Sequence, residues 1–442
     1  MLESLLEDSV DKSDCENNPL FSTEFDYDAI KKQSQENLES WANLSKEEQT
    51  THGNYKKFSK QIGAEDPKDP KFIKSKNYSI LKNEVIKRTE SSNFLEILPI
   101  DELHFESSLL ELMENMENTN RIKELYKLRK LTTGECRNSG ISSEEAEKIK
   151  NCLRQGRELY LSGKNGSLMV KPLNYFYSIT AYSYAAIILN NPIRFALGSL
   201  PGSHGINFLP ADMKIQFGGD MPHGTFSELF ASFPTNFIKN KNFEVVQDNI
   251  DSILNFYKIK NTVSMGTMLS LIPEIREYYK LITGKYSRTH PLVIVPGRDR
   301  MSNIWEFQIG DGEVRVPDEE INNAFPGFDI KETHGKYVVS VPAVDSHKIN
   351  ACITVDSRGD FWFIENPFYP VILPEICMHF ILTNVFSNIM RYSPDSWGGI
   401  LLNEVNSDVS LMVRKYLSAF ENKFPILLLR SVSKYYPYIE KA

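Results

Sequence analysis

Cysteine is scarce in this chain. Cys15, Cys136, Cys152, Cys352 and Cys377 are the only five among 442 residues, and no two form a C-x-x-C pair. That spacing excludes a zinc ribbon and a thioredoxin-like dithiol, and so few cysteines in so long a chain argue against a disulfide framework. Long apolar runs are missing as well. Stretches such as 185–189 and 426–429 fall far short of the roughly 20 residues that span a bilayer. The opening MLESLLEDSVDKSD puts acidic residues where a secretion signal needs a basic segment and then an apolar one, so a cytoplasmic protein with no membrane contact is expected. Positive charge is not in excess either. A formal net charge of −8 provides no global field to draw in nucleic acid, and there is no DNA-binding signature.

Catalytic signatures are lacking in the same way. There is no G-x-G-x-x-G, and the Gly-Lys pair in Thr283-Gly284-Lys285-Tyr286-Ser287 lacks the upstream glycine of a P-loop and places Tyr before the Ser. Neither G-x-S-x-G nor H-E-x-x-H occurs, which leaves out the common serine-hydrolase and zinc-protease motifs. The eight histidines include no i, i+4 pair that would set two ligands on one helix face, so no metal and no cofactor are expected.

What is present is ordinary for a globular protein: 41% hydrophobic and 24% charged residues. The length suits two or three folding units at roughly 150 residues each. Acidity is concentrated at the start, where residues 1–60 hold 13 acidic and 7 basic side chains. Residues 1–75 read as an acidic, loosely ordered N-terminal arm, with a short helix at 36–49 that Trp41 and Leu44 could dock on the body. Residues 76–135 read as a helical extension. Within it, Leu109, Leu110, Met113 and Met116 set a helical period across a stretch, 97–131, free of glycine and interrupted by no proline after its first residues.

Ser142 and Glu145 are spaced as a capping box for a helix expected to end on Gly163. The next helix starts near Lys171-Pro172 and runs to Asn190. It is apolar on every face and reads as the buried centre of the fold. Segments 198–210 and 217–226 are rich in Gly and Pro and read as irregular, and helix is expected again over 263–284, closing on Gly284. Over 290–370 the period changes to short β-branched and aromatic runs, including a hairpin that turns at 356–359. Helix resumes at Leu373-Pro374-Glu375, followed by shorter helices at 408–422 and 425–434. The expected fold class is α+β, mainly α-helical: a helical bundle core built from 136–289 plus 371–442, with a β-rich insertion at 290–370.

Two loops and one helix end carry the candidate functional residues. In Ser203-His204-Gly205 a histidine beside glycine follows the buried helix, a placement that can present an imidazole to a cleft. Pro222-His223-Gly224 repeats the pattern. His379, inside an apolar helix, reads instead as a core histidine. In Arg391-Tyr392-Ser393-Pro394-Asp395-Ser396-Trp397 an arginine closes a helix, where the dipole favours it and where its guanidinium fork could hold an anion. The binding set is His204, Gly205, Arg391, Tyr392 and Trp397, and the catalytic candidates are His204 and Arg391.

Several stretches together resemble the bacterial YaaC-like proteins. They are CLRQGRELYLSGKNGSLMVKPLNYFYSITAYSYAAIILN at 152–190, SHGINF at 203–208, SMGTMLSLIPEIREYY at 264–279, LPEICMHFILTNVFSNIMRYSPDSW at 373–397, and KFPILLL at 423–429. The resemblance covers about two-thirds of the chain and finds no counterpart for residues 1–135. It implies a cytosolic protein and brings no settled activity. The functional expectation is a non-catalytic binding or assembly protein that works with a protein partner or as a homo-oligomer. The alternative is a HEPN-like, metal-independent endoribonuclease, in phage defence or a stress response, with RNA as substrate. Such ribonucleases pair an arginine with a histidine. Here Arg194 precedes His204 by ten residues with Pro201 and two glycines between them, so Arg391 would have to converge on His204 in space.

Overall fold

A computed structural model describes residues 96–133, 140–190, 203–210, 213–217, 224–232, 262–296, 304–342, 352–369, 373–402, 407–433 and 435–440. The acidic arm at 1–75 and its expected helix at 36–49 lie outside the described residues, as does His223. The chain is α+β and mainly helical.

Strand β1 (Glu96–Asp101) leads through a 3-10 turn into α1 (Phe105–Asn115) and α2 (Thr119–Thr133). Helix was expected from residue 97, and here the structure differs. Residues 96–101 pair in parallel with a strand at Tyr435–Glu440, a partner too distant in sequence for local periodicity to reveal. Beyond the strand the period holds, with Leu109, Met113 and Met116 buried.

Helix α3 (Ser143–Asn165) opens on the expected capping box. The Glu145 amide donates to Ser142 Oγ (3.1 Å), and the Ser142 amide donates to the Glu145 carboxylate (2.9 Å). It runs past Gly163 and is capped by Gly166. Gly163 serves packing instead: a Cβ there would sit 2.5 Å from the ring of Tyr175, and one on Gly156 would sit 2.7 Å from the ring of Tyr182. Both tyrosines belong to α4 (Lys171–Asn190), which carries buried Tyr175, Phe176, Ile179, Tyr182 and Ala186 and packs on α3 along this glycine seam.

The segment 198–210, expected to be irregular, contains β2 (Ile206–Leu209); β3 (Lys214–Phe217) lies between it and the second such segment, and α5 (Thr225–Ser232) and β4 (Thr262–Ser264) follow. The three strands form an antiparallel sheet in the order β2-β3-β4. Strands of three or four residues are too short to show clear alternation, and β4 joins β3 only across a long connection, so the local signal is weak. The helix expected at 263–284 is divided into α6 (Met265–Leu269), a 3-10 turn at Pro273–Ile275, and α7 (Arg276–Thr283). Pro273 has no N–H to continue the first helix, while Gly284 closes α7 as expected at φ +66°.

Next comes a six-stranded antiparallel sheet made of β5 (Thr289–Pro296), β6 (Ile304–Ile309), β7 (Asp329–Thr333), β8 (Lys336–Pro342), β9 (Cys352–Val355) and β10 (Phe361–Ile364), with α8 (Asp318–Ala324) inserted after β6. Its order is β7-β8-β6-β5-β10-β9. It has a core of its own, in which Phe307, Phe325, Val339 and Phe363 are buried, separate from the core that joins the helices. The β9–β10 hairpin turns as expected, with Asp356 Oδ1 accepting from the Arg358 and Asp360 amides.

The chain then returns to helix in α9 (Glu375–Tyr392), α10 (Pro394–Leu401) and α11 (Ser407–Val432), and ends in β11 (Tyr435–Glu440). Two helices were expected across 408–434, and one is found, with Pro425 inside it. Proline deprives the carbonyl four residues earlier of its donor. The Tyr160 hydroxyl from α3 supplies one, donating to the Glu421 carbonyl at 2.7 Å.

A buried charge cluster joins the sheet to the helices. Lys423 of α11, fully buried, lies 3.1 Å from Glu375 and 3.5 Å from Glu274, and its ammonium donates to the Val355 carbonyl at the end of β9. Thr354 donates to Glu375 (2.5 Å), and the Ser357 amide donates to Glu274 (3.0 Å). Burial alone would raise the Glu375 pKa, but the Lys423 charge, with His379 and Thr354, outweighs it and holds the carboxyl at about 2. His379 lies in the same cluster, as a core histidine with Nδ1 3.2 Å from the Tyr416 hydroxyl.

Candidate functional site

Helix α9 places Asn384, Asn388 and Arg391 at i, i+4 and i+7, on one face. That face forms one wall of a cleft of about 510 Å³ whose other wall is the His204 loop with β2 and β3. Asn207 and Phe208 of β2, Gln216 of β3 and, at the helix end, Tyr392 complete the polar and aromatic lining. None of the described lining residues is acidic.

His204 is fixed from beneath. Gly205 has φ +73° and Gly224 has φ +142°, and their backbones meet so closely that a Cβ on Gly224 would fall 2.5 Å from the Gly205 Cα. Side chains rarely adopt either conformation, and nothing but glycine fits this crossing. The first turn of α5 then ties the loop down: the Thr225 amide donates to the Ser203 carbonyl (3.0 Å) and the Phe226 amide to the His204 carbonyl (3.1 Å). The imidazole stands edge-on to Phe176 of α4, with ring centroids 4.7 Å apart, above an aromatic cluster that includes Phe226 and Phe380.

Burial, and next the positive charge of Arg391, lower the His204 pKa from its ordinary value of 6.5, so the ring is neutral at pH 7. Its Nδ1 is buried and has no hydrogen-bond partner among the described residues. Arg391 makes two long bonds on its own helix, from Nε to the Ser387 carbonyl (3.3 Å) and from Nη2 to Asn388 Oδ1 (3.4 Å). Its guanidinium lies 4.9 Å from the Tyr392 ring centre. Among the described residues no carboxylate comes within 4.0 Å of it. The Asn388 amino group donates to both the carbonyl and Oδ1 of Asn384 at 2.9 Å. Asn384 is only 2% exposed, yet its own amino group has no partner among the described residues, and neither have the side-chain amides of Asn207 and Gln216.

Of the residues singled out in the sequence, His204, Arg391 and Tyr392 therefore meet in one cleft. Gly205 is buried and acts through the loop geometry without lining the cleft. Trp397 stands apart: it is fully buried, and its indole N–H donates to the Met169 carbonyl (3.1 Å), so it packs α10 against the turn before α4. Asn384, Asn388, Asn207 and Gln216 were not anticipated. The spacing of Asn384, Asn388 and Arg391 along one helix face was the available signal. Nothing local marks the two strand amides. Among the described residues there is no group of three or more His, Cys, Asp or Glu side chains that could hold a metal ion, and no helix is long and apolar enough to cross a membrane.

The family described as YaaC-like protein matches residues 111–432. The match contains both walls of the cleft and reaches back into α1. Residues 111–135 thus have the counterpart that the stretches quoted above did not provide. No curated protein and no solved structure matches the chain.

Proposed function

The chain belongs to the YaaC-like protein family, and we propose that it is a binding protein whose His204–Arg391 cleft holds an anionic, hydrogen-bonding ligand, a phosphate ester. The observation that carries this reading is the Arg391 guanidinium, which lines a cleft with no acidic side chain and has no carboxylate partner among the described residues. A guanidinium fork suits phosphate oxygens, and a partly buried cation gains most from an anion where no carboxylate competes. Unpartnered amides around it supply the neutral donors and acceptors that orient such a ligand.

Calorimetric titration of the full chain with ribose 5-phosphate tests the proposal. Arg391→Ala is expected to weaken binding at least tenfold, with circular dichroism unchanged, since one charge-assisted contact is worth about 1.5–3 kcal/mol. Absence of phosphate-ester binding by the wild type, or equal binding by the variant, sinks the proposal.

A second reading, metal-independent RNA cleavage, is favoured by the meeting of His204 and Arg391 in one cleft. A neutral imidazole can accept the 2′-hydroxyl proton, and a guanidinium can stabilise the charge that builds on phosphorus oxygens. Against it, among the described lining residues only Tyr392 is placed to protonate the leaving oxygen, which is why binding comes first. Labelled RNA incubated with and without chelator decides the order. Chelator-resistant cleavage lost in both His204→Ala and Arg391→Ala would put the nuclease ahead, whereas intact RNA leaves the binder.

A further inference from the structure

We infer that the phosphate ester is a nucleotide, with its phosphate at Arg391 and its base stacked on Tyr392; this rests on the anion-binding reading of the cleft. Tyr392 is 73% exposed, the most exposed aromatic ring among the described residues, yet it lines the cleft. An aromatic face left open to water at the lip of a ligand site is a stacking platform, because every base has a π-face to offer it. The adjacent Arg391 guanidinium lies against the Tyr392 ring, so the group that would bind the phosphate and the ring that would bind the base are one residue apart. Phe208 gives the β2 wall an aromatic side chain as well.

The amides favour the same ligand. Asn384 is buried with an amino group that has no partner among the described residues, and the side-chain amides of Gln216 and Asn207 have none there either. Each full amide offers a donor and an acceptor side by side, the pattern that base edges present in return. A bare sugar phosphate would leave the aromatic lip unused. The cleft volume of about 510 Å³ falls within the usual range for sites of small ligands.

The test is calorimetry of the full chain with adenosine 5′-monophosphate, uridine 5′-monophosphate and ribose 5-phosphate. At least one nucleotide should bind about tenfold or more tightly than ribose 5-phosphate. Tyr392→Ala should erase that advantage without changing ribose 5-phosphate binding, Tyr392→Phe should keep it, and Arg391→Ala should weaken all three. Equal binding of nucleotide and ribose 5-phosphate, unmoved by Tyr392→Ala, overturns the nucleotide inference and leaves the anion site standing. Failure of all three ligands to bind overturns both. A 2′-O-methyl tetranucleotide tells the sources apart: tighter binding than the monophosphate assigns the platform to RNA chains, and equal binding assigns it to free nucleotides. Either result upholds stacking on Tyr392.

Discussion

His204 is the residue whose charge the surroundings control most directly. Burial and the neighbouring guanidinium both disfavour its protonated form, so its pKa lies below 6.5 and the ring carries no charge at neutral pH. Its neutral form contributes stability that is fully present above pH 6.5 and is lost as the pH falls through the lowered pKa. A bound anion reverses that preference, so binding and protonation should assist each other. Sulfate, whose charge stays constant over the range, should bind more tightly at pH 5.5 than at pH 7.5. His204→Gln should flatten the dependence, and a wild-type affinity independent of pH would contradict it. At this scale His204, Arg391 and Tyr392 were readable because each sits at a conspicuous local feature, a glycine turn or a helix end. Trp397 shared the helix-end signal and misled, since an aromatic beyond a helix can as readily turn inward to pack.

Among the elements, α3 and α4 depend on two absent side chains. Gly156 and Gly163 let the rings of Tyr182 and Tyr175 lie against the α3 backbone, and Ser178 reaches across to donate to the Gly156 carbonyl at 2.7 Å. Gly163→Ala should therefore destabilise the protein by roughly 1–3 kcal/mol despite the better helix propensity of alanine, because the added methyl overpacks the seam. Urea unfolding would detect it as a lower midpoint at unchanged slope, and a stabilised variant would refute it. Helices with a strong period or cap were readable in advance: α3 from Ser142 and Glu145, α4 from its apolar run. The failures occurred where a distant group decides local structure. Pro425 marked a break that the Tyr160 hydroxyl makes unnecessary, and β1 looked helical because its partner is at the far end of the chain.

For the molecule as a whole, two hydrophobic cores are joined through the cluster around Lys423. The sheet contributes Thr354, Val355 and Ser357 to it, and the helices contribute Glu375 and Lys423. Removing one partner of a buried ion pair leaves the others charged and uncompensated. Lys423→Ala should cost about 3–5 kcal/mol, read as a fall in the unfolding midpoint. An unchanged midpoint would mean that water enters and solvates Glu274 and Glu375. The β-rich segment could be read from the sequence because alternation is a local property. The bond holding it to the helices could not, because Lys423, Glu274 and Glu375 are separated in the chain and are brought together only by folding.

The parallel pairing of β1 with β11 has a mechanical consequence. The register runs from Glu96 opposite Tyr435 to Asp101 opposite Glu440, with both strands pointing the same way. Tension applied before Glu96 and beyond Glu440 would slide the strands past each other lengthwise. The whole ladder would then bear the load in shear at once, where a zipper geometry would surrender one bond at a time. The two strands act as a clasp outside residues 111–432, and a pull on the chain's ends must break it before any force reaches the cleft.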